Sequence, residues 1–232
     1  MLHIRPTAPT EPTARTMIDC CIFDLDGVIV DTAKYHFLAW KRLAAELGIN
    51  FTETDNERLK GVSRVESLKI VLSLGPITLS PADFDAALAR KNGWYLDYIN
   101  QIGPEEILPG VAVFLAAVRA RGIKTALGSA SKNARLILER IDLLDEFDAI
   151  IDGNAVSNAK PDPEVFLRAA QACGIVPARC VVFEDAAAGV EAALNARMKC
   201  VGVGSADVLG RAHTLIPGFA GLGLDALLAR LA

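Results

Sequence analysis

The chain has 232 residues, 52% of them hydrophobic and 22% charged, with a formal net charge of −4. That is enough apolar material for one large domain, or for a medium domain carrying a smaller insert. The mild negative balance leaves no basic footprint for nucleic acid and no polybasic surface for anionic lipid, and charges break every apolar run before it could span a bilayer.

Residues 1–16, MLHIRPTAPTEPTART, are rich in Pro and Thr and lack an apolar h-region. They read as a flexible leader rather than a signal peptide, with Met17 as either the true start or the first ordered residue. A buried strand is expected over Ile18–Phe23. Helical patterns follow: Ala33–Leu47 stopped by Gly48, Arg64–Leu74 stopped by Gly75-Pro76, and Pro81–Ile102 with Pro at its start. A further helix, Val111–Arg121, presents Phe114, Leu115 and Val118 on one face and stops at Gly122. Strands are then expected over Ile123–Gly128, Ala149–Asp152, Cys180–Glu184 and Cys200–Val203, separated by helices over Asn133–Ile141, Glu164–Cys173 and Ala186–Arg197.

Apolar, β-branched strands alternating with helices predict an α/β fold, a Rossmann-like parallel sheet with right-handed crossovers. Far more chain separates Phe23 from Ile123 than one crossover needs, and it is helical in pattern. The expected organisation is therefore a core of residues 17–31 and 103–232, with a helical cap domain of residues 32–102 inserted after the first strand. Such an insert hangs over the C-terminal edge of the sheet, where open α/β folds bind ligands. The five cysteines, Cys20, Cys21, Cys173, Cys180 and Cys200, are scattered, with no CxxC pair and no His at metal-ligand spacing. Buried thiols in a reducing, cytoplasmic compartment are expected. Nothing advertises a large interface, so a monomer is the default.

The chemistry gathers at strand ends. Phe23-Asp24-Leu25-Asp26-Gly27-Val28 follows the first strand, and carboxylates at i and i+2 point the same way along a continuing strand. Their repulsion is relieved by a cation or a shared proton, although Asp-Gly after a strand is also ordinary turn chemistry. Glu184-Asp185 follows another apolar strand. Asp185 there could cap the next helix, but a cap does not explain two acids. With Asp24 they form a set of hard oxygen donors suited to Mg²⁺. Ser129-Ala130-Ser131-Lys132-Asn133 sits at a strand-to-helix turn, where free N–H groups suit an anion and Ser131 could equally be a plain N-cap. Lys160, in a loop stiffened by Pro161 and Pro163, is either a fixed point charge or solvated surface.

In this order the motifs resemble those of the haloacid dehalogenase superfamily of aspartyl-phosphate enzymes, over roughly Met17 to Gly204. The resemblance implies that Asp24 is the nucleophile and Asp26 the general acid/base, and that Ser129 and Lys160 bind the transferring phosphoryl group. It also implies Mg²⁺ held by the Asp24 carboxylate, the Asp26 main-chain carbonyl, Glu184 and Asp185. The insert, with Thr32, His36, Trp40, Leu59-Lys60-Gly61-Val62-Ser63-Arg64 and Arg90-Lys91-Asn92, resembles the superfamily's β-phosphoglucomutase branch. On that likeness Arg64 grips the phosphate that is not being transferred, Ser131, Lys132 and Asn133 contact it from the core side, and Gly61 belongs to the same cap loop. His36 and Lys91 shape the cap near the active-site loop, Trp40 is cap core or a sugar contact, and Thr32 serves the hinge. The substrate expected is a small sugar phosphate, β-glucose 1-phosphate interconverting with glucose 6-phosphate. Water as acceptor, or a phosphorylated disaccharide as substrate, stands as the alternative.

Overall fold

A computed structural model of the protein describes residues 18–60 and 62–231; the leader expected over 1–16 and the cap residue Gly61 lie outside them. The frame is a six-stranded, all-parallel sheet of β1 (Cys20–Phe23), β2 (Lys124–Gly128), β3 (Ala149–Ile151), β4 (Cys180–Glu184), β5 (Lys199–Val203) and β6 (Thr214–Ile216). Their spatial order is β3-β2-β1-β4-β5-β6. The first strand is thus central, with Phe23 flanked by Leu127 on one side and Phe183 on the other. Between β1 and β4 the sheet changes its direction of growth, and the crevice at such a switch point is where ligands settle.

Helices α1 (Ala33–Glu46), α2 (Glu53–Glu57), α3 (Arg64–Leu72) and α4 (Pro81–Ile99) all fall between β1 and β2. The core helices are α5 (Val111–Ala120), α6 (Ala134–Arg140), α7 (Glu164–Cys173), α8 (Ala187–Asn195), α9 (Ala206–Leu209) and α10 (Leu224–Leu231). They cover both sheet faces, which is why the strands are continuous apolar runs. Cys21 and Phe23 pack with α5, α6 and α10, whereas Cys20 and Ile22 pack with α7, α8 and α9. Phe23 stacks on Phe183 with ring centroids 4.6 Å apart, and Phe114 meets both edge-on.

The inserted helices have an apolar cluster of their own around Trp40, Leu43, Phe51, Leu68 and Val71. The two chain passages into the insert run side by side: Val30 bridges Ile107, and the Asp31 N–H donates to the Glu106 carbonyl at 3.1 Å. The Glu106 carboxylate accepts from Lys34 Nζ and from Tyr35 Oη, each at 2.6 Å. Element ends differ from expectation in small ways, the helix after Pro81 ending at Ile99 rather than Ile102 and β1 starting at Cys20 rather than Ile18. One difference bears on function. α8 starts at Ala187 with Ala186 as its N-cap, so the Asp185 carboxylate does not cap it.

Candidate active site

Strands β1, β2 and β4 each deliver chemistry at their C-terminal ends. Asp24 leaves β1 with its N–H on the Phe183 carbonyl at 3.0 Å, which ties it to the strand that delivers Glu184 and Asp185. Ser129 leaves β2, buried, with its N–H on the Ile151 carbonyl at 3.0 Å. Gly27, at φ 77°, turns the chain after Asp26, and a Cβ there would run into the Asp185 carboxylate. Gly189 on α8 allows a similar approach, because a Cβ would overlap the Glu184 carboxylate.

Lys160 is the buried hub. Its Nζ lies 2.5 Å from Asp24 Oδ1 and 2.9 Å from Glu184 Oε2, above the Phe166 ring. Burial alone would lower its pKa, but the two carboxylates more than offset this and hold it above the ordinary lysine value. The opposite applies to the acids. Burial, reinforced by Asp24 and Asp185, pushes Asp26 up to about 8. Burial with Asp24 nearby pushes Asp185 up to about 7, and burial raises Glu184 despite its Lys160 partner. A carboxyl near 8 keeps its proton at neutral pH and can give it to a leaving oxygen. Asp26 also accepts a hydrogen bond from Thr32, a wholly buried residue at the N-cap of α1 that leaves that helix without a side-chain cap.

Asp24, Glu184 and Asp185 each offer an oxygen atom, all within 4.8 Å of one another. Three hard oxygens from acids that are costly to ionise together fit a divalent cation, and Mg²⁺ is the hard ion such sets suit, usually with water and phosphate completing its shell. Three of the groups expected around Mg²⁺, the carboxylates of Asp24, Glu184 and Asp185, therefore lie together.

The insert roofs this edge and leaves a cavity of about 700 Å³. Asp24, Asp26, Ser129, Ser131, Lys132, Lys160 and Asp185 line its floor, and His36, Trp40, Lys60, Arg64 and Lys91 its roof. Lys91 is buried, with Nζ 2.8 Å from His36 Nδ1 and 4.7 Å from the centres of the Trp40 and Tyr95 rings. Trp40 is at once cap core and cavity wall. Among the described residues Arg64 and Lys132 make no ion pair, so both are available to an anion. Asn133 does not line the cavity; its side chain meets Asn92 of the cap. Sequence reasoning missed Tyr95, whose hydroxyl is buried with no hydrogen-bond partner among the described residues and whose ring lies 4.0 Å from His36.

The sequence pattern of the haloacid dehalogenase-like hydrolases matches residues 18–197. The chain is 45% identical over 185 residues to a β-phosphoglucomutase of Bacillus subtilis, covering 79% of this chain and 82% of that one. It is 34% identical over 182 residues to a phosphorylated carbohydrates phosphatase of Thermotoga maritima, covering 77% and 82%. The crystal structure of a β-phosphoglucomutase from Clostridium difficile superposes with a TM-score of 0.89 at 39% identity, covering 92% of this chain and 97% of that one. With its central Asp24, its acidic pair and its inserted cap, the chain belongs to the haloacid dehalogenase-like hydrolases.

Proposed function

We propose that the protein is a β-phosphoglucomutase, interconverting β-D-glucose 1-phosphate and glucose 6-phosphate through an aspartyl phosphate on Asp24 and a β-glucose 1,6-bisphosphate intermediate. The observation that carries this reading is the second cationic station of the cavity. Lys160 serves Asp24, whereas Arg64 from the cap and Lys132 from the core line the same cavity without an ion pair among the described residues. A phosphatase needs one phosphate site; a mutase whose bisphosphate binds in two orientations needs two. The likeness to the Bacillus subtilis enzyme supports the same choice.

In this reading an oxygen of Asp24 attacks phosphorus as the bond from phosphorus to the sugar oxygen breaks. Asp26 gives its proton to the departing sugar oxygen, and in the return step takes one from the incoming hydroxyl. Lys160 neutralises the equatorial oxygens and Ser129 donates to them, which is the main demand of phosphoryl transfer. Mg²⁺, when held by Asp24, Glu184 and Asp185, supplies further charge neutralisation there. The cap, taken as residues 32–102, excludes water so that sugar rather than water receives the phosphoryl group. The Thermotoga maritima likeness favours one alternative, a sugar-phosphate phosphatase in which water is the acceptor.

The test follows β-glucose 1-phosphate with Mg²⁺ and catalytic β-glucose 1,6-bisphosphate, measuring glucose 6-phosphate and free phosphate together. Glucose 6-phosphate forming much faster than phosphate is the expected result, and phosphate dominating assigns the phosphatase. Neither product forming directs the search to phosphorylated disaccharides.

A further inference from the structure

Asn133 stands at the N-cap of α6, where an Asn side chain ordinarily accepts an N–H from the first helical turn. It makes no such bond. Its Nδ2 instead donates to Asn92 Oδ1, on cap helix α4, at 3.1 Å. Within the loop before it, Ser129 Oγ accepts the Ser131 N–H at 3.1 Å and Ser131 Oγ accepts the Asn133 N–H at 3.2 Å. On the cap side, Asn92 directly follows Lys91, whose ammonium is committed to His36. One turn of α4 therefore serves the cavity roof through Lys91 and touches the core loop through Asn92.

We propose that Asn92 is a positioning residue, the clasp by which the cap holds the Ser129–Asn133 loop in register with Lys91 and His36. The proposal rests on the reading above, in which this loop receives a sugar phosphate. Two neutral amides suit such a clasp, since they add no charge beside the cavity and a single bond of this kind is modest. The contrast with the two chain passages into the insert is chemical: there the charged Glu106 accepts from both Lys34 and Tyr35. A small phosphate ester without a sugar has little need of the clasp, whereas a sugar phosphate reaching from Asp24 to Lys132 depends on it.

The test compares kcat/KM for β-glucose 1-phosphate and for p-nitrophenyl phosphate in the parent, Asn92→Ala, Asn133→Ala and the double variant. Ala is a good helix former, so Asn92→Ala keeps α4. Asn92→Ala is expected to lower the value for the sugar phosphate roughly three- to tenfold while leaving that for the aryl ester unchanged. In the Asn133→Ala background it is expected to add no further loss, since Asn92 acts through Asn133. Equal losses on both substrates, or full additivity with Asn133→Ala, overturn the proposal. Independently of substrate, hydrogen exchange across Ser129–Ala134 is expected to quicken in Asn92→Ala, and unchanged exchange also overturns it. Failure of the mutase reading shows separately, in the product the parent makes.

Discussion

The Nδ1 atom of His36 faces the ammonium of Lys91 at 2.8 Å, with the His36 ring stacked on Tyr95. Enclosure, together with Lys91 and Arg64, sets the His36 pKa well below 6.5, and burial likewise lowers that of Lys91. Above that pH the ring is neutral in both folded and unfolded chains. Below it the unfolded chain takes up a proton that the folded one refuses, so this contribution to stability is lost as pH falls from 6.5 toward the folded value. Relative to His36→Phe, which keeps the stack on Tyr95, the parent is expected to lose unfolding midpoint as pH falls through that range. Calorimetry from about pH 8 down to about pH 5 checks it.

The acidic cluster has the opposite sign. Asp26 and Asp185 hold protons in the folded state up to about 8 and about 7, while the unfolded carboxyls release theirs near 3.8. Their contribution is complete below the unfolded value and is lost as pH rises through the folded ones. A cation among Asp24, Glu184 and Asp185 offsets that loss by binding the ionised forms. Chelating divalent ions is therefore expected to lower the unfolding midpoint more at pH 8 than at pH 6, with Mg²⁺ restoring it. An equal shift at both pH values counts against the assignment.

Gly189 offers a test of the metal set away from its ligands. An Ala there places a methyl group onto the Glu184 carboxylate, which cannot swing aside because it is buried and paired with Lys160 at 2.9 Å. Gly189→Ala is expected to destabilise the fold by about 1–3 kcal/mol and to weaken Mg²⁺ about 10- to 100-fold. Denaturant unfolding and Mg²⁺ titration of activity read the two effects.

Arg64 lines the roof half-buried, with no carboxylate partner among the described residues. Hydrogen bonds to a charged group are worth about 1.5–3 kcal/mol. Arg64→Ala is accordingly expected to lower kcat/KM for glucose 6-phosphate about 10- to 100-fold and to raise the fraction of phosphoryl groups lost to water. Parallel assay of sugar phosphate and free phosphate decides it.

Much of this architecture was legible in advance because strand ends and helix stops are local. Pro163 and Gly174 flank α7 as expected, and β4 has the predicted bounds. β6 escaped because three residues at a sheet edge, Thr214–Ile216, carry too little pattern. α2 escaped because Glu53–Glu57 has no apolar face; a capping box at Thr52 and Asp55 marks it instead. In the site, the residues readable from motifs converge at the C-terminal ends of β1, β2 and β4. What could not be read was pairing between remote elements: Thr32 on Asp26, Asn133 on Asn92, and Tyr95 under His36. Those contacts depend on how the cap sits over the sheet, which no local pattern encodes.

The central place of β1 also has a bearing on how the chain is made. Its partners begin at Lys124 and Cys180, so the whole insert is synthesised before either is available. Until then a fully apolar strand waits with both edges unpaired, the condition under which nascent chains aggregate. The insert, contiguous in sequence and with an apolar cluster of its own, can condense from short-range contacts meanwhile. The contacts that build the roof are thereby available to the growing chain before those that build the floor.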